Sequence, residues 1–230
     1  LLLSGCSSSS AFGRNVYVSS FKYARGSNDG SPFGVWENIT SLVSSAAATA
    51  HFEVRANYFS ICASSGAEWT CASTFKRLSR NVLDPDADPL GLAQIASRYR
   101  EDVLFPGLAI GSIALSFLVI LGFCLFPSWH DEYDEWTGSE IEVKPFPSRR
   151  LVAACFIITS LSCVFALLSA MWQHTSAATV TTLAEVSAYG NAKASVGAAA
   201  AAFAWMSFGF LGVAAMGILL MIASIQTLDK

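Results

Sequence analysis

Two cysteines, Cys62 and Cys71, are the side chains whose spacing predicts chemistry most directly. Between them, Ser64-Ser65-Gly66 is a turn signal, so residues 59–63 and 69–73 can pair as a hairpin. A hairpin brings the two thiols together, and a disulfide between them would staple it. Disulfides persist in oxidising, non-cytoplasmic compartments. The pair therefore predicts a small cross-linked domain outside the cytoplasm.

Three alternating acidic residues, Asp84, Asp86 and Asp88, look like the start of a calcium loop. Such a loop needs a glycine at its sixth position, where this chain has Pro89, and a bidentate glutamate where it has Ile95. The pattern therefore favours a solvated turn, with Asp88 capping a helix whose first residue is Pro89.

The three histidines, His51, His130 and His174, lie in separate polar segments without acidic or cysteine partners at ligand spacing. Neither a metal site nor a catalytic triad is predicted. The sequence thus indicates a protein that is not an enzyme and needs no cofactor. A net charge of -3 without a basic stripe also argues against a nucleic-acid partner.

The polar segments that hold these residues are separated by long apolar blocks. Hydrophobic residues make up 53% of the chain and charged residues 13%, an excess concentrated in residues 103–127, 151–172 and 194–226. Each block is long enough to cross a bilayer as a helix, and none alternates as a barrel strand would. Residues 1–5 read as the end of an earlier span. The sequence thus predicts a mostly α membrane protein, a four-helix transmembrane bundle whose first helix is truncated here.

A second interpretation of the start remains open, because residues 3–6 also match the pattern of a lipidated cysteine, with Cys6 as the acceptor.

Sidedness follows from signals in the polar segments. The sequon Asn38-Ile39-Thr40 predicts a glycoprotein with residues 6–102 as an extracellular domain, whose strands are expected in residues 15–23 and 52–60. Arg149 and Arg150 directly precede a span and favour a cytoplasmic loop at 128–150. Residues 173–193 then form an extracellular loop and 227–230 a cytoplasmic tail, in a multi-pass plasma-membrane protein.

Cys124 and Cys155 fall near the inner membrane boundary of this topology. They are candidate palmitoylation sites, and packing residues equally well. Small residues four apart within the spans allow close helix packing, either within the bundle or with a second copy. The expected partners are the bilayer and other membrane proteins or a second copy of this chain.

A disulfide-stapled hairpin in a large first loop, a short helix before the next span and a short second outer loop together resemble the claudin superfamily. Trp36 and Phe59 stand where claudins place loop tryptophans. The run at residues 54–62, followed by Trp69-Thr70-Cys71, is more similar to the fungal claudin-like calcium regulators and membrane-fusion proteins, the pheromone-induced mating family. That family has glycines where this chain has Asn57 and Ser60.

The resemblance implies a claudin-like, β-rich extracellular domain with Phe59, Trp69 and Trp36 as the aromatic anchors of the hairpin. It implies a protein that regulates calcium influx and membrane or cell fusion during fungal mating or polarised growth, with calcium acting only indirectly on this chain. A structural membrane organiser of the eisosome or PalI type shares the same features and remains an alternative. A small-solute transporter would need a polar path through the spans, for which Thr159, Ser160 and Ser162 are the candidates.

Overall fold

A computed structural model of the chain describes residues 15–23, 45, 52–65, 68–81, 88–127, 130–134, 139–143, 147–188 and 191–228. The predictions for residues 1–5, Cys6, Trp36, Asn38, His51, Asp84 and Asp86 fall outside these ranges. The chain divides into two compact units, one formed by the residues up to Pro106 with Ser169–Ala204 and the other by Gly107–Leu168 with Trp205–Lys230.

The described elements are, in chain order, β1 (Ser19–Tyr23), β2 (Phe52–Ala56), β3 (Ile61–Ser65), β4 (Glu68–Ala72), α1 (Phe75–Asn81), α2 (Leu92–Arg98) with a following π-helical turn (Tyr99–Val103), α3 (Gly107–Cys124), β5 (His130–Asp134), β6 (Ser139–Val143), α4 (Arg149–Ser187), β7 (Ala192–Val196) and α5 (Ala198–Leu228).

The first unit is built on a five-stranded sheet in the order β4-β3-β2-β1-β7, with every neighbouring pair antiparallel. Phe21, Val54 and Ala63 lie opposite one another across three strands and are fully buried. Leu92 and Ala96 of α2 are buried in the same cluster. Alternating apolar residues therefore give the sheet one face that packs on a helix, as half-buried strands require.

The sheet includes a strand, β7, which covers the end of the predicted second outer loop and the first residues of the last predicted span. β7 pairs with β1 in the register Ser19↔Val196, and Ser20 and Ser195 share a hydrogen bond of 2.8 Å between their hydroxyls. The preceding loop is also different from the prediction, because α4 continues through most of residues 173–193 to Ser187. No glycine or proline interrupts that stretch, and Ala177 and Ala184 are buried in the core of the first unit. The described part of the predicted extracellular loop at 173–193 is therefore helix and strand rather than a short loop.

A capping aspartate opens α2, although not at the predicted position. The Asp88 carboxylate accepts hydrogen bonds from the backbone amides of Leu92 at 2.8 Å and Ala93 at 2.9 Å, and one from the Tyr23 hydroxyl at 2.5 Å. The helix begins at Leu92 after Gly91, whose φ of 67° only glycine adopts readily. Pro89 is thus in the turn and not the first helical residue.

The second unit contains α3, the part of α4 up to Leu168 and the part of α5 from Trp205 onward. Among the described residues, three helices are long and apolar enough to cross a membrane, Gly107–Cys124, Arg149–Ser187 and Ala198–Thr227, and each contains most of one predicted apolar block. Their bounds differ from the predicted blocks. Val103 belongs to the π-helical turn and Leu104 is extended, because the residues before Pro106 are driven out of helical geometry. Residues 194–196 belong to β7, and α5 starts only after Gly197.

Between α3 and α4 the chain forms a separate antiparallel hairpin. β5 and β6 pair in the register Asp131↔Glu142 and Glu132↔Ile141, within the segment predicted as a cytoplasmic loop.

Candidate functional site: the disulfide-bonded sheet domain

The disulfide predicted from the sequence is present at the edge of the sheet. Cys62 of β3 lies directly opposite Cys71 of β4, with their Cα atoms 4.0 Å apart, and the two sulfurs are bonded. Cys62 is fully buried. The bond therefore ties the edge strand β4 to the interior of the sheet.

A cation is held over aromatic rings on the same face of the sheet as the disulfide. The Arg55 guanidinium lies 4.1 Å from the centre of the Trp69 ring and 4.9 Å from that of Tyr17. It also pairs with the Glu53 carboxylate at 2.8 Å. Aromatic faces attract cations through their negative π-electron density. Trp69 of β4 thus contacts β2 through Arg55, and its role as an anchor of the hairpin stays a prediction.

The predicted anchor Phe59 is placed differently. Its side chain is 41% exposed, so it is not a buried anchor of the hairpin. The adjacent Tyr58 is buried instead, and its hydroxyl donates a hydrogen bond of 3.0 Å to Oε1 of Gln173 on α4. Sequence reasoning missed Tyr58 because two neighbouring aromatic residues in a tight turn give no signal for which one points inward. The turn is closed by the Asn57 amide donating to the Ser60 carbonyl at 3.0 Å.

Tyrosine hydroxyls join α4 to the rest of the first unit. Besides the bond between Tyr58 and Gln173, the hydroxyls of Tyr99 and Ser176 lie 3.3 Å apart. Burial raises the pKa of Tyr58 to about 12 and raises the pKa of Tyr99, while a hydrogen bond from a serine on α4 partly offsets the burial in each case. Both phenols are therefore neutral at physiological pH, and Tyr58 donates its proton to the bond with Gln173.

The two positions where the resembling family has glycine are unusual in this chain. Asn57 and Ser60 are buried, and neither the side-chain amide of Asn57 nor the Ser60 hydroxyl has a hydrogen-bond partner, although the Asn57 backbone amide is bonded. Buried polar groups without partners cost free energy. These two side chains therefore lower the stability of the turn that presents Tyr58.

The second unit holds its polar side chains in a bonded cluster. Ser162 donates to the Ser112 carbonyl at 2.9 Å, and the Ser116 hydroxyl lies 2.9 Å from that of Ser162. The Thr159 hydroxyl donates to the Cys155 carbonyl at 2.7 Å. In the absence of water such bonds join neighbouring helices. The hydroxyls of Thr159 and Ser162, two of the three candidates for a polar path, are thus engaged in protein bonds.

The two candidate palmitoylation sites differ in how far their thiols are exposed. Cys155 is 2% exposed, and a Cβ at Gly122 would lie 2.7 Å from its sulfur. Cys124, the last residue of α3, is exposed. Burial argues against modification of Cys155, whereas Cys124 stays a candidate.

No group of three or more His, Cys, Asp or Glu side chains able to hold a metal ion occurs within the described residues.

Comparison with known proteins identifies the family. No curated protein and no solved structure matches the chain. The model of one family, described as "Ca2+ regulator and membrane fusion protein Fig1", matches residues 39–224, which include the disulfide hairpin, the three apolar helices except the last residues of α5, and β7. With most of its length matched, the chain belongs to the Fig1 family of Ca2+ regulators and membrane fusion proteins.

Proposed function

We propose that this chain is a claudin-like plasma-membrane protein that acts in fungal mating. It regulates calcium entry and supports cell fusion through its extracellular sheet domain. The family supplies calcium regulation and membrane fusion. The mating context, the fourth span of a claudin-like bundle and the extracellular side are the parts that we propose.

The observation that carries the proposal is that strands from two distant parts of the chain form one sheet. β1 to β4 precede α3 and β7 follows α4, yet all five form one sheet. Strands of one sheet must lie on one side of a membrane, and two intervening spans return the chain to the side from which it started. This supports the predicted topology, in which both polar segments are extracellular and the β5–β6 hairpin is cytoplasmic.

A regulatory role is favoured over an autonomous pore. The three apolar helices contain no charged residue between Leu151 and Trp172, in Gly107–Cys124 or in Ala198–Leu228. Cation filters are built from rings of acidic side chains or from exposed carbonyls. The hydroxyls of Ser112 and Ser116 on α3 and of Ser162 on α4 are bonded to each other rather than lining a pathway. The sheet domain is therefore the part that would act on a separate calcium channel.

The test is deletion of the gene in mating cells, followed by calcium uptake and fusion assays and rescue by variants. Wild-type chain should restore uptake and fusion, whereas Cys62→Ser together with Cys71→Ser should restore neither. Cys163→Ser is the matched control, because this cysteine of α4 has no disulfide partner and is not a candidate for modification. Surface labelling of each variant separates loss of function from loss of transport to the membrane.

Two outcomes would overturn the proposal. Normal uptake and normal fusion in the deleted strain would leave a structural membrane organiser as the better interpretation. Calcium currents from the purified chain alone in planar bilayers would show that it is a pore and not a regulator.

A further inference from the structure

The first unit contains a groove with no assigned role. It has a volume of about 700 Å³ and runs between the segment from Leu90 to Val103 and the stretch of α4 from Trp172 to Leu183. At 1.5 Å per residue the α4 wall is roughly 16 Å long. Volumes of this size are typical of sites for small molecules.

Hydrogen bonds join the two walls of the groove and fix their relative position. The Trp172 indole nitrogen donates to the Val103 carbonyl at 3.0 Å, and the hydroxyls of Tyr99 and Ser176 lie 3.3 Å apart. These bonds leave the Trp172 side chain 50% exposed at the edge of the groove. Bonded walls indicate a preformed site rather than a gap that closes by side-chain rotation.

The lining is apolar at one end and charged at the other. Leu90 and Leu183 line the end remote from the apolar blocks of the sequence, and Leu183 is 62% exposed. Arg98 and Asp102 line the other end, where both are exposed and neither forms an ion pair with the described residues. A guanidinium and a carboxylate about one helical turn apart, beside an indole, thus remain available to a ligand.

In the sequence, the charged end of the groove lies within a few residues of two apolar blocks. Val103 is followed closely by α3, which begins at Gly107, and Trp172 belongs to the same unbroken helix as the apolar block from Leu151. Lipid headgroups are the ligands most abundant beside such segments.

We propose that this groove binds a zwitterionic, choline-type phospholipid. The phosphate accepts hydrogen bonds from Arg98, and the quaternary ammonium lies between the Asp102 carboxylate and the face of Trp172. One acyl chain follows the apolar wall toward Leu183. An anionic lipid would meet repulsion from Asp102, and a sterol hydroxyl would leave one of the two charges without a counterpart. The inference does not depend on the calcium or fusion role.

Photo-cross-linking tests the path of the acyl chain. The full chain is reconstituted in phosphatidylcholine vesicles that include phosphatidylcholine with a photoactivatable group at the end of one acyl chain, and adducts are mapped by peptide mass spectrometry. We expect an adduct on the part of α4 around Leu183, well beyond the apolar block. Thr179→Trp places a ring in the groove and should reduce this adduct about tenfold.

The matched control is Thr182→Trp. Thr179 and Thr182 are both exposed on α4 and donate to carbonyls of the preceding turn, but only Thr179 lines the groove. Thr182→Trp should keep the adduct. Leu183→Asn is a second variant for the case in which Thr179→Trp does not fold, because an exposed side chain can change without disturbing the core.

Binding in detergent, followed by native mass spectrometry, tests the headgroup. Phosphatidylcholine should be retained, phosphatidylglycerol should bind more weakly, and free phosphocholine should not be retained without its chains. Arg98→Gln and Asp102→Asn should each weaken phosphatidylcholine binding about tenfold. Lys193→Gln and Glu68→Gln, exposed charges outside the groove, should not.

Several results would overturn the inference. They are equal adducts in the Thr179→Trp and Thr182→Trp variants, adducts confined to the apolar blocks, equal retention of phosphatidylglycerol, and a sterol or a second polypeptide bound at the groove in place of phospholipid.

Discussion

Replacing Tyr58 with phenylalanine should loosen the sheet domain from α4. The Tyr58 hydroxyl is 3.0 Å from Oε1 of Gln173, and the two side chains are only 7% and 3% exposed. Phenylalanine keeps the ring but leaves the buried amide oxygen without its donor. Leaving a buried group unpaired costs about 1 to 3 kcal/mol. The free energy of opening of the first unit should fall by that amount.

Hydrogen exchange of the full chain in detergent measures this opening directly. The amides of β3, which is paired on both sides by β4 and β2, should lose protection by about 5- to 150-fold, since each 1.4 kcal/mol is a factor of ten. Adding Gln173→Leu to Tyr58→Phe should recover part of the loss, because the buried amide that lost its donor is then removed.

Tyr17→Phe is the matched control. The Tyr17 ring contacts Arg55, and the substitution preserves that ring. Protection in this control should change by less than about twofold. If Tyr58→Phe changed protection as little as Tyr17→Phe does, the bond to Gln173 would not be what attaches the turn to α4.

Three further predictions concern other parts of the chain. Gly197→Ala should abolish protection of the β7 amides, because the new Cβ would lie 1.7 Å from a backbone carbonyl oxygen, whereas Gly209→Ala, with nothing within 4 Å, should not. Ser162→Ala should lower the free energy of unfolding of the second unit by about 0.6 to 1.7 kcal/mol. Ser224→Ala, at an exposed position on α5, should lower it by less. The Tyr58 phenol has an ordinary pKa of 10.0 and a folded-state pKa of about 12, so it keeps its proton in the folded unit after the unfolded chain has lost it. Stability should therefore fall as pH rises from 10 to 12, by at most about 1.4 kcal/mol per pH unit from this group, and Tyr58→Phe should remove that part of the slope in an alkaline unfolding titration.

Local signals were enough to predict the disulfide hairpin and the three apolar helices. The turn Ser64-Ser65-Gly66 and the two cysteines around it act within a few residues of one another, so no knowledge of the remaining fold was needed. The composition of the apolar blocks likewise predicts helices that can cross a bilayer, without reference to the rest of the fold. The Asp88 cap was predicted for the same reason, and only its distance from the helix differed.

Features that depend on distant partners could not be predicted. Residues 192–196 read Ala-Lys-Ala-Ser-Val and contain few strand-forming side chains, so pairing with β1 imposes their strand conformation. The extension of α4 to Ser187 is stabilised by the burial of Ala177 and Ala184 against the sheet domain. The choice between Tyr58 and Phe59 as the buried aromatic residue depends on Gln173, far away in the sequence.

The attachment of β7 to β1 also determines when the domain can be completed during synthesis. Hydroxyls that share a bond in this ladder are 175 residues apart in the chain. Until the ribosome has made α3, β5, β6 and α4, the outer edge of β1 has no strand beside it, and contacts between distant residues form slowly. An unpaired edge is a template for association with other chains. A nascent chain of this protein therefore exposes the edge of β1 to association until β7 has been made and can pair with it.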